Sequence, residues 1–227
     1  ADVAAPVISR WCNEWHGLEA VGNLFNVGFG LMVMLLAICL GALYMINNIA
    51  HQALTQQLRR RLGQCFALFV PILLIELIAL FTMDGFAVDE AGVVSMQAGK
   101  YLHNLLQMPV VAAMFAIGAI LLLLGILLTL LKKQFNKGIW LAAPGTVLVV
   151  INLFLIAGYN NTAYYPSTAD IQSSLTLSNS CSSEFTLRAM AIVSLIIPFV
   201  VAYIAYFWRK MDTPSLTKEE LKHSERY

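Results

Sequence analysis

Charge is what this chain has least of. Only 12% of its 227 residues are Asp, Glu, Lys or Arg, about half the share in an ordinary soluble domain, so a water-solvated globule is excluded. The 14 basic and 13 acidic residues leave a net charge of +1. Phosphate recognition needs a clear basic excess, so a nucleic-acid-binding surface is excluded as well. Disorder fails for the opposite reason, because the chain is 59% hydrophobic with a mean hydropathy of +0.73. Catalytic signatures are also missing: no CxxC, HExxH, P-loop or GxGxxG pattern occurs, and no nucleophile stands beside a base. Histidine is scarce. His16, His51, His103 and His223 fall outside the apolar runs or at their edges, so none pairs mid-span with another as an intramembrane haem would require. The nine methionines, Met32 and Met34 among them, read as gap-filling side chains.

What the chain does have is long runs without charge. Five are placed at about 24–46, 62–83, 105–131, 138–159 and 188–208; Arg188 opens the last, and only Glu76 interrupts them from within. A run of about 20 residues at about 1.5 Å each crosses the roughly 30 Å hydrocarbon layer as a helix. Strands of a transmembrane barrel would alternate in polarity, which LLLLGILLTLL does not. The expected fold is therefore all-α: a polytopic membrane protein of five transmembrane helices in a single domain over 1–227. Residues 1–23 form an outer segment, 160–185 an outer loop and 209–227 a cytoplasmic tail. Residues 101–108 precede the third span or tilt away from it at Pro109.

Orientation follows from the basic residues. Arg59, Arg60, Arg61, Lys132, Lys133, Lys137 and the five after span five share one side, 11 of the 14 in all. The other side keeps Arg10, Lys100 and Arg188 but gathers Asp2, Glu14, Glu19, Asp84, Asp89, Glu90, Asp170 and Glu184. The first residue is thus expected outside and the C-terminus in the cytoplasm. The chain begins ADVAAPVIS, with no feature to insert it that way round. A removed signal peptide or a longer parent chain would explain this.

Glu76 is the ionisable group deepest in a span, about 10 Å from the outer boundary. A carboxyl there should be neutral or face polar partners, and Gln107 on the antiparallel neighbour is near enough in depth to be one. Two readings stand: a proton-path pair, or a hydrogen-bonded structural Glu. Ala112, Ala116 and Ala119 with Gly118 and Gly125 would bring span three close to a neighbour, and Gly22, Gly28, Gly30 and Gly41 would do so for span one. The short RRR and KKQFNK links read as anchoring charges. Of the 24 residues in 160–183, 13 are Ser, Thr or Asn, which fits an ordered cap or a partner surface. Asn160-Asn161-Thr162 matches a sequon, and Thr217-Lys-Glu-Glu220 a capping box. Cys12 and Cys181 both fall outside, where a disulfide could persist.

With the spans in place, several short motifs fall into a recognisable order. They are Met83-Asp84-Gly85-Phe86-Ala87-Val88, Ala98-Gly99-Lys100-Tyr101-Leu102 leading to Met108-Pro109, and the run from Ala157 through Tyr165-Pro166-Ser167 to Thr186-Leu187. In these the chain resembles the C-terminal part of subunit II of cytochrome bd-type quinol oxidases. The resemblance covers essentially all 227 residues. It implies the last five of eight spans, a four-helix bundle plus one helix of a missing N-terminal bundle, in a multi-pass protein of the bacterial inner membrane. It also implies a haem-free, non-catalytic subunit partnered by subunit I, which carries haems b and d and the quinol site. The complex would oxidise quinol and reduce O2 to water, with this chain supporting assembly and proton or O2 access. Membrane lipids are expected partners, a structural quinone or lipid fits the expectation, and nucleic acid does not. Asp84, Gly85, Phe86, Pro109, Pro166 and Ser167 are the motif residues, with no catalytic role and no metal among them. The rival reading is a secondary transporter or channel built around Glu76.

Overall fold

The computed structural model describes residues 14–167 and 170–211. Cys12, and with it the pairing to Cys181, lies outside them, as does the capping box at 217–220. In hydrocarbon every backbone polar group must be satisfied within its own segment, so each apolar run becomes a helix. Helix α1 is Leu24–Asn48, opened by the Asn23 side chain, which accepts from the Phe25 N–H. Helix α2, Gln52–Thr82, starts at His51, whose Nδ1 accepts from the Leu54 N–H. Helix α3 is short, Lys100–Gln107; α4 is Pro109–Leu131 and α5 is Ile139–Gly158. A four-residue α6, Leu177–Ser180, precedes α7, Glu184–Ser194, and α8, Ile197–Met211. Helices α1, α2, α4, α5 and the α7–α8 pair are the five long and apolar enough to cross a membrane.

Several boundaries move for local reasons. The third span starts at Pro109 rather than 105, because residues 105–107 belong to α3 and Met108 leaves the helix at φ −112°, ψ 78°. A residue before proline is pushed out of helical geometry, while proline itself suits a first turn. α2 runs ten residues below Leu62, which lifts its Arg triplet onto the helix. The last span is interrupted at Leu195 and Ile196. Pro198 has no N–H to offer the Ser194 carbonyl, and the chain closes the gap with tighter bonds, Leu195 N–H to Ile192 C=O and Ile196 N–H to Val193 C=O.

One small sheet joins the helices. β1, Gly85–Val88, pairs antiparallel with β2, Val94–Gln97, in the register Gly85 to Gln97 and Val88 to Val94. Ala87 also bridges to Thr162, and Tyr165 to Leu175. The Gln172 amide accepts from the Val94 N–H at 2.9 Å and donates to its carbonyl at 2.8 Å, as an added strand would. The Ser/Thr/Asn-rich segment is thereby folded over the hairpin, and a Thr176–Asn179 capping box starts α6.

Packing differs along the bundle. At the end holding Arg59 and Lys132, here the basic end, Cys39, Leu43, Ile46, Leu62, Ile126 and Ala142 form a closed apolar core. α4 and α5 interlock through glycines. A β-carbon built at Gly125 would sit 2.6 Å from Gly138 O and 2.7 Å from Ala142 N, and one at Gly145 would sit 2.7 Å from Gly118 O. Gly118 and Gly125 thus serve the close approach expected of them, whereas a β-carbon at Gly28 on α1 would meet only the Glu76 side chain. Gly22, Gly30 and Gly41 instead face open space. No residue of α7 or α8 is buried.

Candidate functional site

Away from the basic end the interior turns polar. Two buried side-chain atoms have no hydrogen-bond partner among the described residues, Glu76 Oε2 on α2 and Asn152 Oδ1 on α5. Each residue stands seven positions before its helix's C-cap, Met83 or Tyr159, about 10 Å along the axis. Glu76 is 7% exposed and Asn152 fully buried, its Nδ2 donating back to Leu148 C=O at 2.7 Å. Glu76 lies against Gly28 of α1, where any β-carbon would overlap the carboxylate. Glycine at 28 is thus what admits a carboxyl between α1 and α2.

Gln107 does not reach Glu76. Its Oε1 accepts from Asn160 Nδ2 at 2.6 Å, and its Nε2 lies 2.7 Å from His103 Nε2. These bonds belong to a chain whose direction is set at its buried end. Asn104, fully buried on α3, donates through Nδ2 to Ile156 C=O at 2.9 Å and to Thr162 Oγ1 at 2.8 Å. The Ile156 carbonyl can only accept, so Asn104 Oδ1 faces Asn160 and takes its Nδ2 at 3.2 Å. Asn160 Nδ2 gives its other hydrogen to Gln107 Oε1, which leaves Gln107 Nε2 as donor and His103 Nε2 as acceptor. The chain orients every amide it contains.

Lys100 is buried beside this network, 5% exposed, with Nζ donating to Asn160 C=O at 3.2 Å. Burial lowers its pKa and raises that of neighbouring Tyr101. Asn160 and Asn161 hold φ of 58° and 54°, the left-handed region that Asn tolerates better than most residues. That turn swings Asn160 back over α3.

The motif residues surround the same cap. Gly85 is buried, and a β-carbon there would lie 2.6 Å from Lys100 Cβ. Phe86 C=O accepts from the Ala163 N–H at 2.9 Å. Ser167 donates its N–H to Ser174 Oγ at 3.0 Å, directly after Pro166. Asp84 is exposed, and the last turn of α2 is closed by the Met83 N–H on Ala79 C=O and the Thr82 hydroxyl on Ile78 C=O. Pro109 opens α4. No group of three or more His, Cys, Asp or Glu among the described residues is placed to hold a metal ion. His51 spends Nδ1 on capping α2, and His103 Nε2 is engaged by Gln107.

Spacing alone could not reveal Asn104, Asn160 or Asn152, since the first two meet across 56 positions and Asn152 resembles any span-end amide. Of the three only Asn152 stands inside an otherwise apolar run.

Five apolar helices, a hydrogen-bonded cap and polar groups engaged mainly with one another define a polytopic helical membrane protein. A family model for cytochrome bd terminal oxidase subunit II matches residues 3–211, and the chain belongs to that family. It is 26% identical over 234 residues to the cytochrome bd-I ubiquinol oxidase subunit 2 of Escherichia coli K12, and equally to those of strains CFT073 and O157:H7. Each alignment takes in 93% of this chain but only 59% of the relative, so the chain spans less than two thirds of the proteins it matches.

Proposed function

We propose that this chain is the haem-free, non-catalytic partner in a quinol-oxidising, O2-reducing complex of the bacterial inner membrane, with haems b and d on a separate subunit I. The family match across residues 3–211 carries this reading, and the hydrogen bonds that occupy His51 Nδ1 and His103 Nε2 fit it. Family membership favours it over a transporter. The charge asymmetry supports a cytoplasmic C-terminus, and all 227 residues are read as one membrane domain. Its role is packing and access: it holds a closed apolar core toward the cytoplasm and an ordered cap on the other face. Membranes lacking the full-length protein should lose quinol-driven O2 uptake and regain it when the protein is restored. Unchanged uptake without it would remove the reading.

Within this role Glu76 is proposed as a proton-carrying group, because its carboxyl is buried with Oε2 unpartnered and an intramembrane carboxyl is costly unless it serves a purpose. Gln107 belongs to the cap network rather than to this path. Glu76→Gln in the full complex should slow O2 reduction and alter its pH profile while moving stability by under about 1 kcal/mol. An unaltered rate and profile would leave Glu76 a structural residue.

A further inference from the structure

The basic end carries charges that packing does not use. Arg59 is spent on α4 and the turn after it: its guanidinium donates to the carbonyls of Thr129, Lys132 and Phe135 and to Asn136 Oδ1, the last two at 3.0 and 2.7 Å. Lone carbonyls at a helix C-terminus attract such a cation. The effect is to pin the start of α2 to the α4–α5 turn. Arg60 and Arg61 follow directly on α2, while Lys132, Lys133 and Lys137 lie in the pinned turn, and all five are exposed.

No carboxylate answers them among the described residues. Neither 49–75 nor 120–150 contains an Asp or Glu, and the nearest along α2, Glu76, is about 22 Å from Arg61 along the helix axis. The single ion pair among the described residues, Arg188 with Glu184, belongs to α7. The depth is also defined. Arg59 reaches Lys132 at the very end of α4, a helix of 23 residues, just long enough to cross the hydrocarbon. The cations therefore sit at the level of lipid phosphates.

We propose that Arg60, Arg61, Lys132, Lys133 and Lys137 form a binding site for the phosphate headgroup of an anionic phospholipid, preferring a lipid with two phosphates. General positive bias in a loop would hold lipid only diffusely. Here Arg59 ties the first part of α2 to the α4–α5 turn, with guanidinium forks on α2 and lysine point charges on the turn to engage neighbouring phosphates.

The test uses the full-length protein in its native complex, in nanodiscs of phosphatidylcholine doped with either phosphatidylglycerol or diphosphatidylglycerol. Lipid retained by the protein is counted by native mass spectrometry. The wild type should enrich both anionic lipids over their bulk share, the diphosphate more. The triple variant Arg60→Gln, Arg61→Gln, Lys133→Gln should lower that retention by about tenfold or more, while Arg188→Gln leaves it unchanged. Excess inorganic phosphate should not displace the lipid. Equal retention by wild type and triple variant, absence of enrichment in the wild type, or full displacement by inorganic phosphate would each overturn the proposal. Lys132→Gln with Lys133→Gln gives a second reading that leaves α2 untouched, and it should reduce retention by a smaller factor.

Discussion

Toward the basic end the bundle is filled by Leu43, Ile46, Leu62 and Ile126, none more than 1% exposed, while toward the cap the same helices bury Glu76 and Asn152 with acceptor atoms unpartnered. The difference lies in what is admitted between the helices. Glycine does opposite work in each. At Gly118, Gly125, Gly138 and Gly145 it removes space until backbones touch; at Gly28 it makes space for a carboxyl. One half is built to stay shut. The other keeps polar groups inside the membrane and seals them under a network of amides.

That contrast can be broken most severely at the interlock. Gly125→Leu would force a side chain into Gly138 and Ala142, with an expected cost of about 3 kcal/mol. A lowered unfolding midpoint for the complex in detergent would register it, and Gly41→Leu, into open space, should move the midpoint little. At the sealed end, Asn104→Leu strands the Ile156 carbonyl and releases Asn160, costing about 2 kcal/mol. Protease cleavage within 160–183 should then accelerate, a change the Gly125 variant need not show. Arg59→Gln sharpens the basic side: loss of the α4 clasp should cost about 1.5 kcal/mol without altering the cap.

The smallest effect is a pH dependence. Lys100 has its pKa lowered by burial, so below that lowered value both states are protonated and the cost of burying the charge is present in full. As pH climbs from there towards about 10.4, the native state gives up its proton before the unfolded state does, and stability should rise. Denaturation midpoints measured across that window should rise for the wild type and stay flatter for Lys100→Met.

The helices were legible because charge is so sparse that its gaps delimit them, and Gly118 and Gly125 betrayed a close contact by their spacing on α4. The hairpin was not: Gly85–Val88 and Val94–Gln97 are four residues each, too short to show alternation, and β1 is held partly by Ala163, far along the chain. Glu76 was visible as an interruption, yet its neighbour Gly28 was one glycine among several on α1. Gln107 lies near the right depth to meet Glu76, but depth along a span says nothing of direction around it, and Asn160 claims it first. Arg59 looked like one of three anchoring charges. Only the fold shows that it alone turns toward the carbonyls at the end of α4 and in the turn after it.

The central claim is that this chain shapes an oxidase whose haems lie elsewhere. It is tested most directly by purifying the full-length protein with whatever accompanies it in the membrane, separating the subunits and recording reduced-minus-oxidised spectra of each. The account predicts haem bands in the intact complex that follow a second membrane subunit and are missing from this one. Haem bands on this chain alone, or recovery of no haem-bearing partner, would contradict it.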